Sequence, residues 1–170
     1  MDVEVLTEDD WKLLQDLRLR ALEESPDAFL SKADTGRAGD EAHWRGRCTR
    51  DVWVVARTGR QVIGIACSNQ DSEQPPYSRH IESVWVDPEH REKGVLRAML
   101  AYLVELEPDV RDWFVWVLDG NELAREVYEH LGFETTGERQ TPAGAFGRSE
   151  ERLKLAEEGI PDPADRGLLP

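Results

Sequence analysis

Two stretches of the chain each change from a strand-like hydrophobic pattern to a helical one across a short polar turn. In the first, the apolar run IESVWV (81–86) is followed by Asp87-Pro88 and then by apolar residues at helical spacing. In the second, WFVWVL (113–118) is followed by Asp119-Gly120 and another amphipathic segment. Two such units in succession predict a strand, a crossover helix and a second, parallel strand. The run 113–118 is too uniformly apolar for a strand with one wet face, so we expect it to be central and covered on both sides.

The remaining segments add antiparallel strands to this unit. RTGR joins two apolar runs into a hairpin, with Gly59 available for a positive φ. Asn121 is expected to cap a helix whose residues Leu123, Val127 and Leu131 face inward, and Gly132 to end it. The further predicted strands are 3–7, 52–56, 61–66, 133–138 and 150–155, and the further predicted helices are 8–24 and 41–47. The sequence therefore predicts a mixed α/β domain with a largely antiparallel sheet of about seven strands, about four helices and one βαβ crossover.

The length of 170 residues fits one domain, which we place at 1–156. The polar tail 157–170 is rich in Pro and Gly and is predicted to be disordered. The amino terminus lacks a secretion signal and no apolar run reaches membrane-spanning length, so a cytoplasmic protein with no membrane contact is expected. Cys48 and Cys67 lack CxxC spacing and the four histidines are dispersed, so we predict no disulfide and no metal.

The charge of the chain narrows its possible partners. Thirty-five acidic residues against 21 basic ones give a formal net charge of −14, which repels a phosphate backbone and disfavours nucleic-acid binding. The same charge would suit a cationic substrate, or it would simply keep the surface solvated. Charge alone does not decide between these two interpretations.

Two motifs carry the chemistry. Arg91 and Gly94 stand at the mouth of the first crossover helix, where backbone N–H groups and the helix dipole favour a diphosphate-like anion. The segment has neither the GK[ST] ending of a nucleotide P-loop nor a GxGxxG fingerprint. In the second motif, NELAREVYEHLGF (121–133), the spacing places Asn121, Ala124 and Tyr128 on one helix face.

With these motifs the sequence resembles the GNAT N-acetyltransferase superfamily, whose members transfer an acetyl group from acetyl-CoA to an amine. VWVDPEHREKGV is similar to the family's strand and pyrophosphate loop, written V-x-P followed by Q/R-x-x-G-x-G/A. NELAREVYEHLGF matches N-x-x-A-x-x-x-Y-x-x-x-G-F at every defined position, and RLRALEESPDAF (18–29) is similar to the first helix and substrate-side loop. The resemblance implies a GNAT fold with a sheet splayed between strands four and five, and acetyl-CoA or another acyl-CoA as co-substrate. It also implies a small-molecule or peptide amine as acceptor, and homodimers are frequent among similar proteins.

Position by position, the resemblance implies where the cofactor would lie. Val84 and Val86 would offer backbone groups to the pantetheine arm, the amides of 91–96 would wrap the pyrophosphate, Asn121 would touch the arm and Tyr128 would lie near the sulfur. The cofactor-binding residues implied in this way are Val84, Trp85, Val86, Arg91, Glu92, Lys93, Gly94, Val95, Leu96, Asn121, Ala124 and Tyr128.

The proposed chemistry needs a base, because an amine is protonated at neutral pH and cannot attack a thioester. His80, Glu82 or an ordered water is the candidate. By strand alternation both side chains share a face with Val84 and Val86, unless a bulge intervenes. Tyr128 would protonate the departing thiolate, and a strand amide near Val86 would meet the charge on the carbonyl oxygen. Alternatively, His80 and Glu82 are a solvated strand edge and Tyr128 only packs on the sheet.

Two residues depart from the family pattern. The cradle ordinarily has Gly or Ala where this chain has Leu96, and very often Gly where it has Glu92. Leu96 either hinders the approach of phosphate to the backbone or turns inward with Leu100 and Leu103, its neighbours on the apolar stripe. Two functions therefore remain open, an active N-acetyltransferase and a degenerate member that binds acyl-CoA or a protein partner without catalysis.

Overall fold

The computed structural model describes residues 1–26, 34, 36–142 and 147–161. Within them the chain forms seven strands, four α-helices and two one-turn 3-10 helices. The strands are β1 (Asp2–Val5), β2 (Val52–Thr58), β3 (Gln61–Asn69), β4 (Ser78–Val86), β5 (Asp112–Leu118), β6 (Phe133–Gln140) and β7 (Glu150–Leu155). The α-helices are α1 (Trp11–Glu24), α2 (Glu41–Arg50), α3 (Val95–Leu106) and α4 (Glu122–His130), and the 3-10 helices are Glu8–Asp10 and Pro88–His90.

All seven strands belong to one sheet, with the order β1-β2-β3-β4-β5-β7-β6. The β4–β5 pair is parallel and every other neighbouring pair is antiparallel. Helix α3 connects the two parallel strands, as a crossover requires. The predicted mixed α/β architecture, its single crossover and the order of its elements are confirmed.

The strand ends differ from the predicted ones. The apolar pattern predicted one strand that ends at 66 and another that begins at 81, but β3 continues to Asn69 and β4 begins at Ser78. The two ends pair with each other, Ser68 with Ile81 and Asn69 with His80. Polar residues at a strand end carry no hydrophobic alternation, so the pattern alone placed the strand boundaries too early.

Each face of the sheet is covered by its own apolar core. On one face, α3 and the end of α4 pack through Val95, Met99, Leu103 and Leu131. On the other face, α1 and α2 pack against β2, β3 and Trp85 of β4. Helix α3 approaches the sheet closely at Gly64, where a Cβ atom would lie 3.0 Å from side-chain carbons of Val95 and Met99. The prediction that 113–118 is covered on both sides agrees with the burial of five of these six residues, all except Trp116, which is half-buried.

Helix α4 is less buried than predicted. Of its nine residues only Tyr128 is buried, while Leu123 and Val127 are 65% and 37% exposed. The expectation that Leu123 and Val127 face inward is wrong, and only Leu131, just beyond the helix, is buried as predicted. These two apolar side chains border an open groove, described below, rather than the packed core.

The described part of the carboxyl-terminal tail lies against the domain. Ile160 is half-buried against the core of the α3 face, and Arg97 of α3 donates a hydrogen bond to the carbonyl of Pro161. Residues 162–170 lie outside the described residues. The domain boundary at 156 and the disorder of 157–170 stay predictions.

The described residues include both cysteines and all four α-helices named above. Cys48 and Cys67 are both free and both buried. None of the helices in the described ranges is long and apolar enough to cross a membrane.

Candidate active site

Strands β4 and β5 part halfway along their length. They pair from Ser78 with Asp112 to Ile81 with Val115, and the pairing stops there. Beyond that point, residues 82–86 and 116–118 line opposite sides of a groove with a volume of about 1100 Å³. The groove is lined from both faces of the sheet, since it includes Glu82 on one face and Tyr128 on the other.

A β-bulge in β4 sends neighbouring side chains to opposite faces of the sheet. Glu82 pairs with Cys67 and Trp85 pairs with Ile65, so β4 has one residue more than β3 between these pairs. The extra residue is accommodated at Ser83, whose φ is 56°. Strand alternation had placed His80 and Glu82 on the face of Val84 and Val86. That expectation is wrong, because the bulge puts His80 and Glu82 on the α1–α2 face, whereas Val84 and Val86 pack on the α3 face.

The loop before α3 presents backbone N–H groups. Glu92 and Gly94 have φ values of 60° and 76°, and Gly94 is the N-cap of α3. No side chain caps the helix, so the first-turn amides of Val95, Leu96 and Arg97 have no acceptor within it. A Cβ at Gly94 would meet no atom within 4 Å, so glycine is required there by its backbone conformation. This arrangement fits the diphosphate-like anion expected from the sequence.

Side chains around this loop link it to α1. Arg91 donates from Nη2 to Glu24 Oε2 at 2.8 Å and from Nε to the carbonyl oxygen of Val86 at 3.1 Å. The indole of Trp85 donates to the same Glu24 oxygen at 3.0 Å. The Ser25 hydroxyl, the Trp85 indole and Arg91 together lower the pKa of Glu24. Sequence reasoning missed Glu24, because its contact with Arg91 joins residues 67 positions apart and leaves no local sequence pattern.

The Leu96 side chain packs inward. It is half-buried against the core of the α3 face and also borders the groove. The adjoining α3 residues Val95, Met99, Leu100 and Leu103 are fully buried. Of the two interpretations left open by the sequence, this packing favours the one in which the loop amides stay accessible.

Helix α4 forms the opposite wall of the groove. Its N-cap, Asn121, accepts a hydrogen bond from the amide of Ala124 at 3.2 Å, as predicted. Leu123 and Val127 border the groove, which explains their exposure. Tyr128 is buried with its ring edge-on to Phe133, at 5.5 Å between centroids, and burial raises the pKa of its hydroxyl. The phenol therefore remains protonated across the usable pH range.

The two candidate bases have different environments. Glu82 is recessed, so burial raises its pKa, yet 47% of its side chain remains accessible through the groove. His80 stacks on Phe114, at 5.5 Å between centroids, and its Nε2 is buried without a hydrogen-bond partner among the described residues. Burial and the nearby Arg152 lower the pKa of His80. Glu82 therefore combines a raised pKa with access to the groove, whereas His80 is a neutral part of an aromatic wall.

Charged side chains of both signs line the groove. Arg91, Glu92 and Arg97 belong to the loop and first turn of α3, whereas Arg18, Asp71, Glu82 and Glu150 come from α1, the β3–β4 loop, β4 and β7. The groove is lined by every cofactor-binding residue predicted from the sequence except Lys93, whose Nζ instead donates to the carbonyl of Glu89 at 2.8 Å. Glu82 and His80 line the same groove from the α1–α2 face of the sheet.

Comparisons with known proteins agree with this geometry. The model of the acetyltransferase (GNAT) family matches residues 12–133. Among curated relatives, the N-alpha-acetyltransferase RimI of Mycobacterium tuberculosis is 28% identical over 52% of this chain and 55% of its own length. The chain spans 24% and 58% of the two other curated relatives that it matches.

Solved structures share the fold. The ribosomal-protein-alanine N-acetyltransferase of Brucella melitensis superposes with a TM-score of 0.68 at 24% identity, covering 91% of this chain and 98% of that one. Salmonella typhimurium yncA, solved with its cofactor acetyl-CoA, gives a TM-score of 0.69 at 19% identity over 96% and 98% of the two chains. Since the family model covers 12–133 and the splayed sheet lies within that range, the chain belongs to the GNAT acetyltransferase family.

Proposed function

We propose that the protein is an N-acetyltransferase that moves an acetyl group from acetyl-CoA to a primary amine by direct attack on the thioester. The observation that carries this proposal is the groove between β4 and β5, which is open to Glu82 from one face of the sheet and to Tyr128 from the other. A thioester and an amine would meet where the two strands part. The membership of the chain in the GNAT family supports the same reaction.

The residues present fit acetyl-CoA. The free first-turn amides of α3, two left-handed residues in the preceding loop and the side chains of Arg91 and Arg97 suit a diphosphate. The backbone of 82–86 on the β5 side and the apolar faces of Leu123 and Val127 suit the long, partly apolar pantetheine arm. When bound, acetyl-CoA supplies the activated acetyl group.

Glu82 acts as the base in this proposal. The ammonium form of the acceptor has no lone pair, so Glu82 takes its proton, directly or through a water, before the new N–C bond forms. Because the pKa of Glu82 is raised, its carboxylate is a stronger base than an ordinary glutamate. Glu82 and Asp71 line the groove and the chain carries a formal net charge of −14, so the electrostatic potential favours a cationic acceptor.

Tyr128 acts on the leaving group. As the C–S bond breaks, its hydroxyl donates a proton to the thiolate. The acceptor nitrogen loses its second proton to solvent as the amide forms, and the phenolate of Tyr128 regains a proton from solvent, so the products are an amide and the free thiol of CoA. Burial raises the pKa of the phenol, and the same apolar surroundings would also raise the pKa of the CoA thiol, which favours protonation of the departing thiolate. Amides of the β4 edge near Val86 would donate to the carbonyl oxygen as its negative charge grows.

The identity of the acceptor is tested with a panel of amines. A peptide amino terminus is one choice, after the name of the mycobacterial relative, and spermidine is another, after the Vibrio cholerae spermidine N-acetyltransferase SpeG chimera of the same fold. Calorimetry with acetyl-CoA is run beside an assay of thiol release with each amine. We expect acetyl-CoA to bind at micromolar to millimolar concentrations and at least one amine to release CoA thiol.

The variants separate catalysis from binding. Glu82→Gln should abolish most turnover and leave acetyl-CoA affinity unchanged, with Glu134→Gln on β6 as a control outside the groove. In the wild type, turnover should be lost as pH falls through the raised pKa of Glu82, because protonation removes the base. No binding at millimolar acetyl-CoA would refute the proposal. Tight binding with no thiol release by any amine would favour the non-catalytic alternative.

A further inference from the structure

A cluster of buried charges lies beneath the α1–α2 end of the groove, outside both sequence motifs. We call Arg18, Asp34, Arg47 and Asp51 the buried charge cluster. Arg18, Asp34 and Asp51 are 3%, 2% and 6% exposed, and the side chain of Arg47 is 13% exposed. Removing charges from water is expensive, so such a cluster needs either close pairing or a functional reason.

Arg47 is held rigidly within this cluster. Its Nη1 lies 3.0 and 3.1 Å from the two carboxylate oxygens of Asp34, and its Nε lies 3.7 Å from Asp51. Its guanidinium carbon lies 4.9 Å from the ring centroid of Trp53. Asp34 is itself fixed by Arg18 Nε at 3.2 Å and by His43 Nε2 at 3.1 Å. The two hydrogen bonds from Nη1 to Asp34 and the contact with the Trp53 ring restrain the guanidinium, whereas its Nε is buried without a hydrogen-bond partner among the described residues.

The third nitrogen faces Glu82. Arg47 Nη2 lies 3.9 Å from Oε1 of Glu82, the nearest carboxylate oxygen of the proposed base. Glu82 has no second ion pair among the described residues, and the bulge at Ser83 is what turns it to this face. The base is thus approached by a fixed cation from below and by water from the groove.

We propose that Arg47 is a positioning residue for the acetyl transfer: its buried guanidinium, fixed by Asp34, Asp51 and Trp53, holds the Glu82 carboxylate at the floor of the groove and sets the pH range in which that carboxylate takes the amine's proton. The inference rests on the proposed function, because it takes Glu82 to be the base. It adds a residue of α2, outside the two sequence motifs proposed to bind acetyl-CoA.

Several charges act on Glu82 together. Burial raises its pKa and Asp51 does the same, while the cations Arg47, Arg18 and Arg50 lower it. Among the described residues, Asp34 lies on the far side of Arg47 with His43 bound to it, and α2 also carries the thiol of Cys48. The thiol of Cys67 lies opposite Glu82 on β3, and neutral His80 precedes Glu82 on β4. Of these cations, Arg47 lowers the pKa of Glu82 the most, so removal of Arg47 would raise that pKa further.

The direct test measures the titration of Glu82 and needs no acceptor. Protein labelled with 13C at glutamate side-chain carboxyls is titrated by NMR, and the Glu82 signal is identified by its loss in Glu82→Gln. We expect the midpoint in Arg47→Gln to move up by about one pH unit, the lower end of the range for an opposite charge at this distance, since Glu82 is half-exposed. An unmoved midpoint would overturn the inference.

Folding is controlled separately. Arg47→Gln leaves Asp34 and Asp51 with less cationic pairing and is expected to lower stability, so Arg47→Lys is made beside it. Lysine keeps the charge but cannot reach both aspartates and Glu82 at once, so its midpoint should move up less than that of Arg47→Gln. Arg45→Gln, on the same helix but paired with exposed Glu41, is the matched control and should leave the midpoint unchanged.

Kinetics then connect the titration to the reaction. With whichever panel amine is acetylated, the acid limb of the kcat/KM profile should move up by the same amount in each Arg47 variant, while the Kd of acetyl-CoA stays constant. A moved NMR midpoint with an unmoved kinetic limb would overturn the inference. If Glu82→Gln keeps the wild-type rate, the base assignment of the proposed function has failed as well, whatever the behaviour of Arg47.

Discussion

Replacement of Leu96 by glycine tests whether the bulky residue in the anion loop obstructs the cofactor or supports the helix. The Leu96 side chain is half-buried against the α3 core and stands in the first turn of that helix. A fully buried Leu→Ala change costs about 2–5 kcal/mol, so half burial gives about 1–2 kcal/mol. Glycine in place of alanine adds up to about 1 kcal/mol in helix propensity. Leu96→Gly should therefore lower the free energy of unfolding by about 2–3 kcal/mol, and Leu96→Ala by about 1–2 kcal/mol.

The same two variants are measured by thermal unfolding and by calorimetry with acetyl-CoA. For a chain of this size, about 2–3 kcal/mol corresponds to a fall in Tm of about 5–10 °C. Leu96→Ala should leave the Kd of acetyl-CoA unchanged, because the side chain points inward and the loop amides are already accessible. Leu96→Gly should leave it unchanged or weaken it, because the first turn of α3 becomes less ordered. A tenfold tightening in either variant, which is about 1.4 kcal/mol, would refute the inward-packing account and show that leucine obstructs the cradle.

Three further predictions concern single groups. Tyr128→Phe should lower kcat about 100-fold or more with little change in the Kd of acetyl-CoA. The control Tyr102→Phe, outside the groove, should change neither quantity. An unchanged kcat in Tyr128→Phe would rule out Tyr128 as the acid. Gly94→Ala should lower the free energy of unfolding by about 1–2 kcal/mol, because residue 94 has a left-handed φ, and should weaken acetyl-CoA binding. Gly94→Asn should have smaller effects on both. Equal unfolding and calorimetry results for the wild type and the two variants would contradict this prediction. Cys48 and Cys67 should not react with a thiol reagent until the protein unfolds, because burial raises the pKa of Cys48 to about 11 and also raises the pKa of Cys67. Prompt labelling of the native protein would refute their burial.

The sequence predicted the elements whose chemistry is local. The switch from strand to helical spacing at 81–106 and the motif from Asn121 to Phe133 were enough to place the crossover, the cap at Asn121 and the start of α3 near Gly94. Each of these depends on residues within a few positions of one another. Their prediction therefore did not require knowledge of tertiary contacts.

The features that escaped prediction depend on distant pairing. Alternation along β4 misplaced Glu82 relative to Val84, because the extra residue is visible only in the register with β3. Helical spacing correctly identified the apolar face of α4, but it could not show that Leu123 borders a groove instead of a core. The contact between Arg47 and Glu82 joins residues 35 positions apart through a bulged strand, so no sequence pattern marks it.

The account depends most on the gap between β4 and β5. A crystal structure of the protein with acetyl-CoA tests it directly. We expect the diphosphate on the amides before and within the first turn of α3, the pantetheine arm between 82–86 and 116–118, and the thioester between Tyr128 and Glu82. Electron density for acetyl-CoA elsewhere on the protein, or strands paired beyond Ile81 and Val115 with no groove between them, would contradict it.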